Sequence, residues 1–291
     1  MITDAHQHFW TKEVIAALFE KLGVPLESVQ TIVRDFEPKD LKPWLDKLGV
    51  SQTVVVQVNA TLENTRYFLD LADRHSWIGG VVGWVDLADP AIRETLDQIK
   101  HPKLVGFRHQ WHDEADPAWN VRPDVLRGLK ELARRGLRYD LLVKPREWKY
   151  ILQVAEAVPD LPLVIDHIAK PNIAARQFDD WVAAMKVAAS IPRMHIKLSG
   201  LVTEADPANW KPSDLKPYVE KVVELFGAGR VMFGSDWPVC LLAARSYEEV
   251  FTALQTCLAG LSEAEKALVL GENARRFYGL EAPGAELRQE R

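Results

Sequence analysis

Two histidines separated by one residue, His6 and His8, stand near the start of the chain. On a strand, side chains two positions apart leave from the same face, so the two imidazoles can converge on one point. Neutral imidazole is the commonest protein ligand for metals and suits zinc, manganese or iron(II). An isolated His-x-His is also compatible with two polar residues at a strand end, so its meaning depends on what else reaches the same place. The other residues able to do chemistry are Arg108, His109, His167 and Asp236, each at or just after a short apolar run. Beside a cation, Asp236 would stay ionised and could take a proton from water. Ahead of Trp237-Pro238 it could equally be a turn former. A guanidinium in a buried place requires a carboxylate or an anionic ligand, so Arg108 is either a substrate clamp or one half of a structural ion pair. His109 is either functional or a satisfied buried histidine.

Such residues meet only if the chain builds a scaffold that gathers them. Eight short apolar runs recur: Ile2–His6, Thr53–Val58, Trp77–Val85, Leu104–His109, Leu137–Val143, Leu163–Ile168, His195–Ser199 and Val231–Ser235. Between most of them lie stretches of helical periodicity: Thr61–Arg74, Pro90–Lys100, Pro123–Arg135, Lys149–Val158, Phe178–Ala189 and Leu215–Phe226. Strands alternating with helices of this length imply βαβ units and a parallel sheet. Runs of Val, Ile and Leu with little alternation suit strands covered on both faces.

Eight units can close into a barrel or open into a doubly wound sheet. The open sheet would announce a nucleotide site by a glycine-rich first turn. Here the first run ends in His6-Gln7-His8 with no glycine nearby. The pattern therefore predicts an α/β fold, a (β/α)8 TIM barrel, as one domain over residues 1–291. Residues 9 to about 39 form an insertion after the first strand, expected to act as a lid. Ser262–Tyr278 reads as closing helices, and the tail after Ala282 as frayed.

Barrels of this kind carry their sites at the C-terminal ends of the strands. His6 and His8 end the first strand, Arg108 and His109 the fourth, and His167 the sixth, while Asp236 follows the eighth. His195 begins the seventh and is expected at the opposite face. Of Arg108 and His109, one must face the interior and the other the helical layer. Arg108 is the expected inward one, since no acidic residue on its own strand offers a partner. Trp10, Trp84, Trp111 and Trp237 lie at or just past strand tips, where they could stack on a ligand.

A formal charge of -5 argues against a nucleic-acid partner, whose footprint is a basic patch or stripe. No stretch approaches the roughly eighteen apolar residues of a membrane span. The N-terminus lacks the basic and apolar regions of a signal peptide, and the two cysteines form no C-x-x-C pair. A cytoplasmic protein is expected, with neither nucleic acid nor membrane as partner; its oligomeric state is not legible.

Taken in order, Asp4-Ala5-His6-Gln7-His8-Phe9-Trp10, Gly106-Phe107-Arg108-His109, Asp166-His167-Ile168-Ala169-Lys170-Pro171 and Phe233-Gly234-Ser235-Asp236-Trp237-Pro238 resemble the amidohydrolase superfamily. More narrowly they resemble its lactonase branch, which includes L-fucono- and L-rhamnonolactonases and 2-pyrone-4,6-dicarboxylate lactonase. The resemblance spans essentially the whole chain. It implies hydrolysis of an ester or amide, with Asp236 as the proton shuttle, His6 and His8 as the first-strand pair and His167 as the sixth-strand histidine. Binuclear members carry a bridging lysine or glutamate on strand 4 and a histidine on strand 5. Here those strands end in Arg108-His109 and Leu142-Val143-Lys144, which implies at most one divalent ion, zinc or manganese, on His6, His8 and Asp236, or none.

The expected reaction is the opening of a small sugar acid lactone such as L-fuconolactone or L-rhamnonolactone. Asp236 would take the proton from water and return it to the leaving ring hydroxyl. A divalent ion would polarise the carbonyl or the water; without metal, His167 and Arg108 would steady the oxyanion, and His109 would inherit the role of Arg108 if Arg108 faced outward. Two other readings remain at this point: a metal-dependent nonoxidative decarboxylase of an aromatic acid, and a noncatalytic barrel that binds a sugar acid.

Overall fold

The computed structural model describes residues 1–281; the expectation for the tail after Ala282 lies outside them. Eight parallel strands follow one another around a ring in chain order: β1 Ile2–Gln7, β2 Val50–Val56, β3 Ile78–Gly83, β4 Leu104–His109, β5 Arg138–Leu141, β6 Leu163–Ile165, β7 Met194–Leu198 and β8 Val231–Phe233. The ring closes just beyond β8, where His8 N donates to Trp237 O (2.7 Å) and Asp236 N donates to His6 O (2.8 Å). This is the predicted (β/α)8 barrel. Closure therefore joins the residues after β8 directly to the residues that end β1.

Helices α1 Lys12–Lys21, α2 Pro38–Leu48, α3 Leu62–Arg74, α4 Ile92–Gln98, α5 Pro123–Arg134, α6 Ile151–Ala157, α7 Asp179–Ala189, α8 Leu201–Glu204, α9 Pro212–Phe226, α10 Tyr247–Cys257, α11 Glu263–Ala267 and α12 Asn273–Tyr278 accompany the strands. Four were not expected from periodicity: α1, α2, α8 and α10. In α2, Pro38 occupies the first turn, where a missing N–H costs nothing. Reciprocal bonds between Glu37 and Asp40 cap its start, and Gly49, at φ 69°, ends it.

The segment after β1 is built rather than loose. It contains α1 and a 3-10 stretch, Leu26–Ile32, and Trp10 and Phe36 exchange backbone hydrogen bonds of 3.1 and 2.9 Å across its base. No helix among the described residues is long and apolar enough to cross a membrane.

The barrel interior is stratified. Ala5, Val54, Val56, Val82, Val105, Val164 and Met232 form an apolar layer plugged by Phe277, Tyr278 and Leu280. His195 packs on the Phe277 ring (4.7 Å between centroids), so it sits at the plugged end, as expected. The next layer is ionic, with Arg108, Asp140, Asp166 and Lys197 all buried. Beyond it lie the strand ends and the histidines.

A register irregularity helps position them. Between Asp4 and Gln7 β1 advances three residues while β2 advances two, from Thr53 to Val55. This is a β-bulge, which re-aims a side chain. Ala5 belongs to the interior apolar layer, and His6, the very next residue, also reaches interior partners.

Candidate active site

His6 and His8 converge as their spacing predicts, with Nε2 atoms 3.2 Å apart. His8 Nδ1 lies 2.7 Å from the Val56 carbonyl oxygen. A carbonyl only accepts, so that nitrogen carries the proton and His8 Nε2 presents a lone pair. Asp236 Oδ1 stands 3.3 Å from His8 Nε2 and 3.8 Å from His6 Nε2. His167 completes the cluster, its ring 4.5 Å from that of His6 and its Nδ1 3.9 Å from Asp236 Oδ2.

Strained backbone holds two of these four residues. His167, Ile168, Ala169 and Lys170 all have positive φ, between 47° and 63°, and Asp236 has φ 57°. Each non-glycine residue in this region costs about 1–2 kcal/mol, so neighbours must fix it. Ser199 Oγ lies 2.9 Å from His167 Nδ1, while the indoles of Trp181 and Trp148 donate to the carbonyls of Ile168 (2.8 Å) and Ala169 (2.9 Å). Glycine makes the remaining space. A Cβ on Gly200 would lie 2.7 Å from His167 Nδ1, and one on Gly234 2.8 Å from His6 Cβ. On the other side of the closure, Asp4 Oδ1 accepts from both His6 N (3.0 Å) and Ser235 N (2.9 Å), while Tyr247 donates to Oδ2 (3.0 Å). One carboxylate thus ties a histidine of the cluster to the residue before Asp236.

Burial dominates the electrostatics. It pushes His167 down to about 3 and His6 well below its ordinary value, against the pull of Asp166. Burial alone would raise the Asp236 carboxyl, but the three neighbouring imidazoles outweigh it and hold the group below the usual carboxylate range. At neutral pH His6 and His167 are therefore neutral beside an ionised carboxylate.

Arg108 faces inward. Its Nη2 donates to Gln57 O (2.6 Å), while Nη1 lies 3.1 Å from His6 Nε2 and 3.3 Å from Asp166 Oδ2. The absence of an acidic partner on its own strand was a poor test, because the partner comes from across the barrel. Arg108 is both inward and ion-paired.

His109 is turned elsewhere. It stacks on Trp119 at 3.8 Å and 7°, lies 2.7 Å from Glu114 Oε1, and receives the Trp84 indole N–H at 3.2 Å. These contacts set it in the packing around the mouth, apart from the His6–His8–Asp236 group. The tryptophans also serve packing. Trp111 is fully buried and donates to Pro117 O (3.0 Å). Trp237 sits edge-on to Phe9 and Phe36, and Trp10 donates to Ile32 O (3.1 Å). Trp10 also keeps one ring stacked beside His8 at 6.3 Å. Trp111 and Trp237 are too enclosed to stack on a ligand, whereas Trp84 is partly exposed.

The reading from sequence missed the ionic layer beneath. Lys197, wholly buried on β7, lies 2.6 Å from Asp140 Oδ2, 2.9 Å from Asp166 Oδ1 and 3.1 Å from His6 Nδ1. Tyr278 donates to Asp140 (2.9 Å). Burial pushes Asp140 up to about 6 despite Lys197, whereas Lys197 and His6 outweigh burial at Asp166 and hold it well below the usual range.

His6, His167 and Asp236 offer ligand atoms within 4.8 Å of one another. Atoms bound to zinc at about 2.0–2.1 Å in a tetrahedron lie roughly 3.3–3.4 Å apart. The 3.2, 3.3 and 3.8 Å triangle of His6, His8 and Asp236 is close to that. His8 Nε2 and Asp236 Oδ1 are both acceptors and face each other, an arrangement that a cation or proton must bridge. The donor set fits a single divalent ion; the Arg108 contact with His6 Nε2 and such an ion are alternatives.

Residues 3–280 match the model of a family described as Amidohydrolase. The chain is 39% identical over 289 residues to an L-fucono-1,5-lactonase of Burkholderia ambifaria, covering 97% of each chain. It is 37% identical to an L-fucono-1,5-lactonase of Burkholderia multivorans, covering 96% of each. A crystal structure of an amidohydrolase from Burkholderia multivorans with bound zinc superposes with a TM-score of 0.91 at 36% identity, covering 97% of this chain and all of that one. With its barrel, its strand-end histidines and a family match over nearly its whole length, the chain belongs to the amidohydrolase family.

Proposed function

We propose that the protein is a hydrolase that opens the ring of a sugar acid lactone, with L-fucono-1,5-lactone the first candidate. The observation that carries this reading is the His6–His8–His167–Asp236 cluster, found in a chain that aligns end to end with two L-fucono-1,5-lactonases. An ionised carboxylate beside the neutral rings of His6 and His167 is placed to accept a proton, which a simple binding barrel does not need. The same relatives favour lactone hydrolysis over decarboxylation of an aromatic acid.

His6, His8, Asp236 and His167 would hold one divalent ion, zinc in the first instance. Bound there, it would supply Lewis-acid polarisation of a carbonyl or water oxygen. The chain's own part runs as follows. Asp236 takes a proton from water as the resulting hydroxide adds to the lactone carbonyl. The ring C–O bond then breaks, and the Asp236 carboxyl returns that proton to the departing ring oxygen, leaving a hydroxy acid. Arg108, pinned by Gln57 and Asp166, presents its guanidinium toward the carboxylate that forms. Trp10 and Trp84 border the mouth, and the segment carrying α1 acts as the lid.

A pH-indicator assay against a panel of aldonolactones, with and without chelator, tests this. Many turnovers on a 1,5-lactone are expected, and carbon dioxide release from an ortho-hydroxybenzoate would support the decarboxylase reading in its place.

A further inference from the structure

We propose that Lys197 is a built-in cation that competes with the metal ion for His6 and so sets the affinity of the centre. This inference rests on the metal part of the reading above, with His6 among the ligands beside His8, His167 and Asp236.

The three N–H bonds of the Lys197 ammonium have three acceptors in range: Asp140 Oδ2 at 2.6 Å, Asp166 Oδ1 at 2.9 Å and His6 Nδ1 at 3.1 Å. His6, Asp140 and Asp166 are themselves a group with metal-ligand spacing, and the ammonium sits among them. The place where a second ion could bind is taken by a side chain.

The contact to His6 matters most. If Lys197 donates to Nδ1, the one proton of a neutral imidazole must sit on Nε2, and that nitrogen can no longer bind a metal. Asp166 Oδ1, 3.2 Å from the same Nδ1, makes the opposite demand. With the proton on Nδ1 and donated to the carboxylate, Nε2 is free to ligate, which is the usual outer-carboxylate arrangement of metal-bound histidines. Lys197 therefore favours the proton on Nε2, while Asp166 at Nδ1 and the Arg108 donor 3.1 Å from Nε2 favour it on Nδ1.

Charge works in the same direction. Arg108 and Lys197 stand against Asp140, Asp166 and Asp236, leaving one net negative charge when the histidines are neutral. A divalent ion turns this into one net positive charge in a buried place. Without Lys197, the loaded centre would be neutral.

The test is equilibrium dialysis of zinc against chelator-stripped full-length protein, comparing wild type with Lys197→Met and Asp140→Asn. Lys197→Met should bind zinc at least about tenfold more tightly, as expected for loss of a unit charge a few ångströms away in a medium of low dielectric. Damage to the fold alone would weaken binding instead. Asp140→Asn touches none of the proposed ligands but removes a carboxylate from Lys197. It should bind at least about threefold more weakly, as Lys197 turns further toward His6. Equal or weaker binding by Lys197→Met overturns the proposal. Should that variant fail to fold, unchanged or tighter binding by Asp140→Asn overturns it. Zinc bound by wild type with no such ordering removes this inference and leaves the metal centre standing. Zinc bound by none of the three removes both, while the lactone assay still judges the hydrolase reading.

Discussion

His8 Nε2 and Asp236 Oδ1 face each other at 3.3 Å, although the proton of His8 is committed on the other nitrogen to the Val56 carbonyl. Two lone pairs in that position repel unless something positive lies beside them. The strain at Asp236, φ 57°, is part of holding the pair together, and strain of this kind collects at functional sites. In the proposed reaction this carboxylate is the proton acceptor.

Asp236→Asn keeps the shape and removes the base. Turnover should fall by at least about a hundredfold, the scale of general base catalysis, while the melting temperature stays near that of wild type. Steady-state kinetics and thermal unfolding on the same preparation check both halves. Near-normal turnover would remove Asp236 from the chemistry.

Elemental analysis of protein purified without added metal should find no more than one divalent ion per chain. Lys197 occupies the other cluster of ligand-type atoms among the described residues, so a second ion there would have to displace it. Two equivalents that survive dialysis would contradict this account of the ionic layer.

Arg108→Lys keeps the charge and loses the planar fork. The guanidinium reaches Gln57 O with one nitrogen and both His6 and Asp166 with another, a span that a single ammonium cannot reproduce. Both turnover and thermal stability should fall. A normal rate with lowered stability would leave Arg108 a structural ion pair only.

Much of this was legible in the residues. The eight runs gave the barrel, and the barrel gave which ends to inspect, because strand polarity alone decides which residues reach the open face. His6, His8, His167 and Asp236 came together as expected. The ionic layer was not foreseen, though it left a signal: Asp140 lies between Tyr139 and Leu141 and Lys197 between Ile196 and Leu198 within strands, and a charge in such a place needs a partner. Those two residues are 57 positions apart, and no local pattern pairs residues so far separated. The orientation of His109 was open for another reason. Alternation says that neighbours face opposite ways, and only the contact of Arg108 with Asp166, across the barrel, says which way each faces. The bulge at Ala5–His6 breaks alternation outright, which is how adjacent residues both come to face inward.

The buried His167 ring should contribute an acid-sensitive part of the stability of the metal-free protein. His167 is held down at about 3 in the fold against roughly 6.5 in the unfolded chain. Between those values the unfolded state binds the extra proton, so stability rises with pH and is lost as pH falls. The slope is about 1.4 kcal/mol per pH unit for one such histidine; His6, shifted the same way, adds to it, whereas Asp4 and Asp140, raised to about 6 by burial, oppose it below that pH, so the part due to His167 is read as the difference from His167→Gln. Urea unfolding of chelated protein from pH 7 to pH 4 measures the slope, and His167→Gln should make it shallower. An unchanged slope in that variant would show that His167 is not buried as a neutral ring.

The most direct measurement of the central claim is product formation on L-fucono-1,5-lactone, followed by acid release and compared between wild type and Asp236→Asn at equal concentration. The account predicts many turnovers by wild type and at least about a hundredfold fewer by the variant. No turnover above the spontaneous rate, on this lactone or on related aldonolactones, would contradict it.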